Sequence, residues 1–193
     1  RRFPLRRCSN AILFPCLEKF LFAAKESGKN DYFRRRKNLC LTMDIKSLYS
    51  LFKSHRSVTT DSRNCPPGAL FFALRGDTFD GNRFAAAALE AGCSYAVVDD
   101  PSVVAGDRYV LVDNVLQALQ ALARYHRREW GRTVVGVTGT NGKTTTKELM
   151  AASLSRRFKV LATEGNLNNS IGVPLTLLRL DDTCEMAVIE MGA

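Results

Sequence analysis

The stretch Val134-Val135-Gly136-Val137-Thr138-Gly139-Thr140-Asn141-Gly142-Lys143-Thr144-Thr145-Thr146 decides how this chain is read. A β-branched apolar run feeds a glycine-rich turn that ends in Gly-Lys-Thr, and a helix-forming segment follows at once. Each part has a task in holding a nucleoside triphosphate. Glycines let the backbone curl so that successive N–H groups point at phosphate oxygens, and a helix N-terminus adds partial positive charge. Lys143 is placed to reach the β- and γ-phosphates, and the Thr144 hydroxyl to ligate Mg²⁺. The usual loop of this kind has a glycine where Val137 stands, so the predicted loop is a shortened one. Its candidate ATP-binding residues are Gly139, Thr140, Asn141, Gly142, Lys143, Thr144 and Thr145. A chance Gly/Thr turn is the bland alternative, and the flanking strand and helix argue against it.

Working outward, the segment from 131 to 193 has the period of a parallel α/β unit. The expected order is strand Thr133–Thr138, helix Gly142–Arg156, strand Lys159–Ala162, a loop, helix Pro174–Leu180 and strand Glu185–Ile189. Val-Val-Gly-Val and Met-Ala-Val-Ile are apolar at nearly every position, which predicts burial of both strands on both faces. The loop then falls at the C-terminal edge of the sheet, where ligands bind in such folds. Glu190 ends the last strand on that side. A carboxylate buried there without a partner is expensive, so a cation is one reason for it, and a strand-end Glu reaching water is the other. Asn168 and Asn169 are candidate neighbours of a γ-phosphate or acyl phosphate; turn formation and capping ahead of Pro174 is the competing reading.

The segment from 43 to 130 reads as a separate small α/β unit. Helices are expected over Asp44–Lys53, Arg83–Ala91 and Asn114–Arg128, the last with Asp113 as its N-cap and an apolar stripe of Val115, Ala118, Leu119 and Leu122. Strands are expected over Val58–Asp61, Ala69–Leu74, Tyr95–Asp99 and Tyr109–Val112. The helix end Arg124-Tyr125-His126-Arg127-Arg128-Glu129-Trp130 mixes aromatic and basic residues. Cations in a last turn follow from the helix dipole, which is a stronger account than a nucleic-acid patch.

The net charge of +9 also fails as a nucleic-acid signal once it is located. Residues 1–42 hold eleven Lys/Arg against three Asp/Glu, so this extension supplies +8 and the remainder is close to neutral. The extension starts with Arg1 and carries Arg34-Arg35-Arg36-Lys37 near its end. It reads as a non-native or disordered basic stretch ahead of a start at Met43, with an organellar transit peptide as the alternative. No apolar run is long enough to suggest a membrane span. Three of the six cysteines lie in the extension, and Cys65, Cys93 and Cys184 stand singly, which suggests neither a disulfide framework nor a metal site.

From Met43 onward the chain resembles the N-terminal part of the Mur ligases of bacterial peptidoglycan synthesis. The matching segments are Thr60-Asp61-Ser62-Arg63, Gly68–Leu74 leading to Phe79-Asp80-Gly81, Gly139–Glu148, Gly165–Leu178, and Ile189-Glu190-Met191-Gly192-Ala193. The segment Asn166-Leu167-Asn168-Asn169 running into Gly172-Val173-Pro174-Leu175 favours the branch that adds the dipeptide D-Ala-D-Ala; the branch adding the third amino acid shares the first two segments. Asn82 stands where the family usually has His.

The resemblance implies a small UDP-sugar-binding α/β domain over 43–130 and the start of a parallel-sheet, P-loop-type ATP-binding domain over 131–193, cut short at Ala193. It implies Thr60, Ser62, Arg63, Asp80, Gly81 and Asn82 as UDP-substrate contacts, Thr144 and Glu190 as magnesium ligands, and Lys143, Asn168 and Asn169 as catalytic residues. The implied partners are UDP-MurNAc-tripeptide and D-Ala-D-Ala, with ATP and Mg²⁺ as cofactors, in a monomeric enzyme of the bacterial cytoplasm that serves cell-wall biogenesis, and through it cell shape and division. The chain as given is expected to lack turnover by itself. A nucleotide-binding module without ligase activity, and an amide ligase for another acid such as a folylpolyglutamate synthetase, are the competing readings.

Overall fold

The computed structural model describes residues 43–192; the expectations for residues 1–42 and for Ala193 lie outside the described residues. Two parallel sheets make up the architecture. The first has the order β1-β2-β3-β4, formed by Val58–Thr59, Leu70–Phe72, Tyr95–Val98 and Tyr109–Leu111. The second has the order β5-β7-β6, formed by Thr133–Val137 (β5), Val160–Ala162 (β6) and Met186–Glu190 (β7).

Helix α1, Ile45–His55, starts because Asp44 accepts from the Lys46 and Ser47 amides at 2.8 and 3.0 Å. It ends at Arg56, whose φ of 53° is left-handed. The segment expected as one helix over Arg83–Ala91 is a 3₁₀ turn at Gly81–Phe84 that passes into α2, Ala85–Glu90. Asp80 caps that turn through the Asn82 amide, which draws its start forward. Helix α3, Val115–Trp130, is capped by Asn114 and not by Asp113: the Asn114 side chain accepts from Gln117 N at 2.8 Å. Gly131, at φ 68°, closes it in a left-handed turn.

In the second half, α4 spans Lys143–Leu154 and α5 spans Gly172–Leu178. Helix α5 begins ahead of the expected Pro174, since Asn169 Oδ1 accepts from the Ile171 and Gly172 amides at 3.0 and 2.8 Å. Pro174 then falls in the first turn, where its missing N–H is not needed.

One expectation is corrected here. Strand β5 is not buried on both faces: Val137 alone of its residues is buried, whereas β7 is buried from Ala187 to Glu190. The strand order explains it, because β7 enters between β5 and β6 and takes the centre. Helix α3 packs on α1 and on α5, so the described residues form one compact unit.

Candidate functional site

At the C-terminal edge of the second sheet, Val137 is the register partner of Glu190. The strand that launches the glycine loop and the strand that ends in a carboxylate therefore finish side by side. Gly139 and Gly142 have φ of 142° and 74°, backbone that side chains disfavour, and Gly142 starts α4 with no side-chain cap. The first amides of α4 are left to an outside acceptor, the arrangement that binds phosphate. Lys143 Nζ donates to Gly139 O at 2.7 Å, holding its ammonium across the loop.

Glu190 is 2% exposed. Its Oε1 accepts from Asn168 Nδ2 at 2.9 Å and from Thr144 Oγ1 at 3.3 Å, while Oε2 is buried without a hydrogen-bond partner. The strand-end Glu reaching water is therefore excluded. A desolvated carboxylate with an orphaned oxygen, beside a hydroxyl on a phosphate-type loop, fits a hard divalent cation. Among the described residues no cluster of three or more His, Cys, Asp or Glu could hold a metal. Such an ion here would draw on Glu190, Thr144 and phosphate oxygens, which is the habit of Mg²⁺ with nucleotides.

The two asparagines part company. Asn168 serves Glu190, and its carbonyl also accepts from Gly192 N at 2.6 Å. Asn169 is engaged in the turn that leads into α5, its Oδ1 accepting from the Ile171 and Gly172 amides. Lys147, which sequence reasoning passed over, is buried: its Nζ donates to Thr163 O and to Glu148 Oε1, each at 2.6 Å. Its position one turn after Lys143 was the available signal.

The loops at the C-terminal edge of the first sheet carry the other predicted residues. Thr60, Ser62 and Arg63 lie in the turn after β1, closed by Thr59 Oγ1 donating to Asn64 O at 2.9 Å. Arg63 extends into solvent and forks onto Asp61 at 2.9 and 3.0 Å. Those hydrogen bonds hold the Asp61 carboxyl below its ordinary range.

Asp80, Gly81 and Asn82 form a tight corner on the neighbouring loop. Asn82 is buried, and its Nδ2 donates to Asp80 Oδ1 at 2.8 Å and to Asp99 Oδ1 at 2.9 Å. Its Oδ1 accepts from Asp99 N at 3.1 Å. Both ends of the amide are engaged inside the protein, so the substrate hydrogen bond expected of Asn82 has no free donor. Arg75, also missed in the sequence, ties this corner together, with Nε 3.0 Å from Asp99 and 3.3 Å from Asp80 and Nη2 3.5 Å from Asp100. Arg75 and Asp80 lie in the loop after β2, and Asp99 and Asp100 in the loop after β3, so the grouping joins two loops that no local pattern connects.

The end of α3 is used inside the molecule. His126 Nε2 donates to Leu180 O at 2.7 Å and Trp130 Nε1 to Asp181 O at 2.8 Å, joining α3 to the turn after α5.

Residues 137–193 match the Mur ligase middle domain, and residues 55–127 match the Mur ligase family catalytic domain. The chain belongs to the Mur ligase family. It is 44% identical over 137 residues to the UDP-N-acetylmuramoyl-tripeptide–D-alanyl-D-alanine ligase of Bacillus subtilis, a match covering 70% of this chain and 30% of that protein. The Escherichia coli protein of the same name is also 44% identical over 137 residues, with 71% and 30% covered. Among solved structures, MurF from Acinetobacter baumannii superposes with a TM-score of 0.67 at 35% identity, covering 74% of this chain and 35% of that one. The MurF ligase of Thermotoga maritima in complex with ADP gives a TM-score of 0.66 at 37% identity, covering 72% and 32%. This chain thus spans about a third of the length of the Mur ligases it matches. No helix among its described residues is long and apolar enough to cross a membrane.

Proposed function

We propose that this chain supplies the UDP-substrate and ATP-phosphate portions of a cytoplasmic ligase that joins D-Ala-D-Ala to UDP-MurNAc-tripeptide in peptidoglycan precursor synthesis. The observation that carries it is the buried Glu190 carboxylate, one oxygen unpartnered, held against Thr144 of the glycine loop. The substrates are those for which the Bacillus subtilis and Escherichia coli relatives are named.

A carboxylate is a poor electrophile because it has no good leaving group. Phosphorylation by ATP supplies one: the terminal carboxylate of the tripeptide takes the γ-phosphoryl group and ADP departs. The dipeptide amine then attacks the acyl carbon, loses a proton, and phosphate leaves from the tetrahedral intermediate. Such transfer needs alignment and charge neutralisation more than protein nucleophiles. Lys143 and the first amides of α4 would grip the phosphates, and Glu190 and Thr144 would hold Mg²⁺. Bound there, the ion supplies neutralisation of the phosphate oxygens. Asn168 keeps the Glu190 carboxylate turned. Thr60, Ser62 and Arg63 offer hydroxyls and a guanidinium to the uridine diphosphate, with Arg63 exchanging Asp61 for it.

The test is a chimera in which residues 43–193 replace the matched segment of the Bacillus subtilis relative. It should release phosphate from Mg-ATP only with both UDP-MurNAc-tripeptide and D-Ala-D-Ala present. Lys143→Ala should lower that rate about a hundredfold or more, as for loss of a key charge-stabilising donor. Turnover with a single amino acid in place of the dipeptide would assign the chain to the branch that adds the third residue. Nucleotide binding with no turnover would assign it to the non-catalytic reading.

A further inference from the structure

Helix α4 buries one side chain, and it is a lysine. Lys147 is 2% exposed, yet its acidic neighbour Glu148 is turned to solvent. An ammonium is costly to bury, and a surface glutamate could be met just as well by an exposed lysine. The inward partner therefore carries the argument. Nζ donates to the carbonyl of Thr163 at 2.6 Å, the residue that follows β6. The same Thr163 donates its amide to Val188 O at 3.0 Å, and its Oγ1 accepts the amide of Glu190 at 2.9 Å. Lys147 is thus linked through a single residue to the backbone of the carboxylate that faces the phosphate loop. Glu190 is held besides by its register with Val137, by Asn168 Nδ2 at 2.9 Å and by Thr144 Oγ1 at 3.3 Å, so Thr163 is the link on the β6 side of the sheet edge.

We propose that Lys147 is a positioning residue for the cation half of the phosphate site, acting through Thr163 to hold Glu190 at the height where its free oxygen meets an ion on Thr144. The inference rests on the nucleotide reading above. It assigns Lys147 no contact with nucleotide: that contact belongs to Lys143, one turn earlier on α4. Groups that orient a metal ligand change metal affinity by about 10–100-fold when removed, and their loss is felt only when the metal is present.

The experiment compares ADP binding to the 193-residue chain with Mg²⁺ and with EDTA, by titration calorimetry, alongside the thermal midpoint of the ligand-free protein. Lys147→Met should weaken Mg-ADP binding about tenfold or more while changing metal-free ADP binding far less. Thr163→Val, which removes the acceptor for the Glu190 amide and leaves Lys147 intact, should show the same Mg²⁺-selective loss, and Thr163→Ser should restore it. The Thr163 pair decides the matter if Lys147→Met fails to fold. Equal losses with and without Mg²⁺ in these variants, in step with a lowered midpoint, would mark a merely structural role and overturn the proposal. A chain that binds no ADP under either condition would overturn the nucleotide reading and this inference with it. Normal Mg²⁺-dependent binding by both Lys147→Met and Thr163→Val would overturn the inference alone.

Discussion

The two sheets are built from similar apolar strands and end in similar loop edges, yet they are buried very differently. In the first, Leu70, Phe71 and Phe72 of β2 and Ala96, Val97 and Val98 of β3 are all closed to solvent. Phe71 and Val98 pack with Ala85, Ala88 and Leu89 of α2, and α3 also packs on β2. In the second, burial is concentrated on β7, and α4 leaves Leu149 67% exposed. The better-packed half holds its candidate substrate residues on surface loops, with Arg63 in solvent and Asn82 locked into the frame. The less-packed half holds its chemistry deep, with Glu190 and Lys147 under the loop. Burial of the scaffold and burial of the chemistry are set independently: the first follows from strand position, the second from what a cation or phosphate demands.

The sharpest way to break that contrast is to truncate one large apolar side chain on each side. Phe71→Ala opens a cavity inside a closed core and should cost about 3–5 kcal/mol of unfolding free energy. Leu149→Ala removes a side chain that faces solvent and should change stability by less than about 0.5 kcal/mol. Denaturant titration reads both. A Leu149 variant as damaging as the Phe71 variant would show that the exposed face of α4 is packed in solution.

The elements were largely legible in the sequence but this contrast in burial was not, since β5 was expected to be as buried as β7, and the gaps have physical causes. The strands and helices fall within a few residues of their expected places, because apolar period and cap chemistry are local. Which strand takes the centre is not local: Val134-Val135 and Val188-Ile189 read alike, and only the return of the chain through α5 puts β7 between β5 and β6. Asn114 displaced Asp113 as a cap because both are good caps and tertiary packing chose the register. In the site, the glycine loop and Glu190 were readable because strand, turn and helix fix their relative positions. The engagement of Asn82 and the gathering of Arg75 with Asp80, Asp99 and Asp100 were not, since each joins residues from different loops. Lys147 was missed because Thr-Thr-Lys-Glu reads as a solvated face.

A smaller effect sharpens a feature the halves share. In each, one glycine lets a loop of the candidate site press on neighbouring backbone. A Cβ at Gly81 would stand 2.5 Å from Leu74 O, and one at Gly172 would meet the backbone of Leu167. Gly81→Ala and Gly172→Ala should each cost about 1–3 kcal/mol, the usual range for overpacking. Gly81→Ala should also weaken binding of the UDP-substrate, and Gly172→Ala binding of nucleotide. Crossed effects on the two ligands would show that the halves do not work as separate binding edges.

A pH-dependent effect, absent at neutral pH, concerns the seam where the halves meet. His126 lies between α1, α3 and the turn after α5, beside a cleft of about 290 Å³ that Lys53, Arg56, Glu129, Arg179, Asp181 and Asp182 also line. Burial lowers its pKa, opposed by the bond it donates to the Leu180 carbonyl; Arg56 and Lys53 lower it further and Asp182 raises it. Folded His126 therefore stays neutral at pH values where the unfolded chain has already taken a proton. Unfolding then gains a proton over the window from the ordinary histidine value of about 6.5 downward. Stability from this group is complete above that window and is lost as pH falls through it to the folded value. The slope it adds is bounded by one proton, about 1.4 kcal/mol per pH unit. Asp181, held at about 2 by hydrogen bonds from Thr183 and Cys184, is ionised in both states across this window and loses its contribution only in stronger acid. The thermal midpoint should therefore decline from pH 7.5 to 5.5, and His126→Gln should flatten that decline while leaving the Phe71 core untouched. An unchanged slope in the variant would mean that the imidazole is hydrated and that the seam opens more readily than its hydrogen bonds to Leu180 and Tyr49 imply.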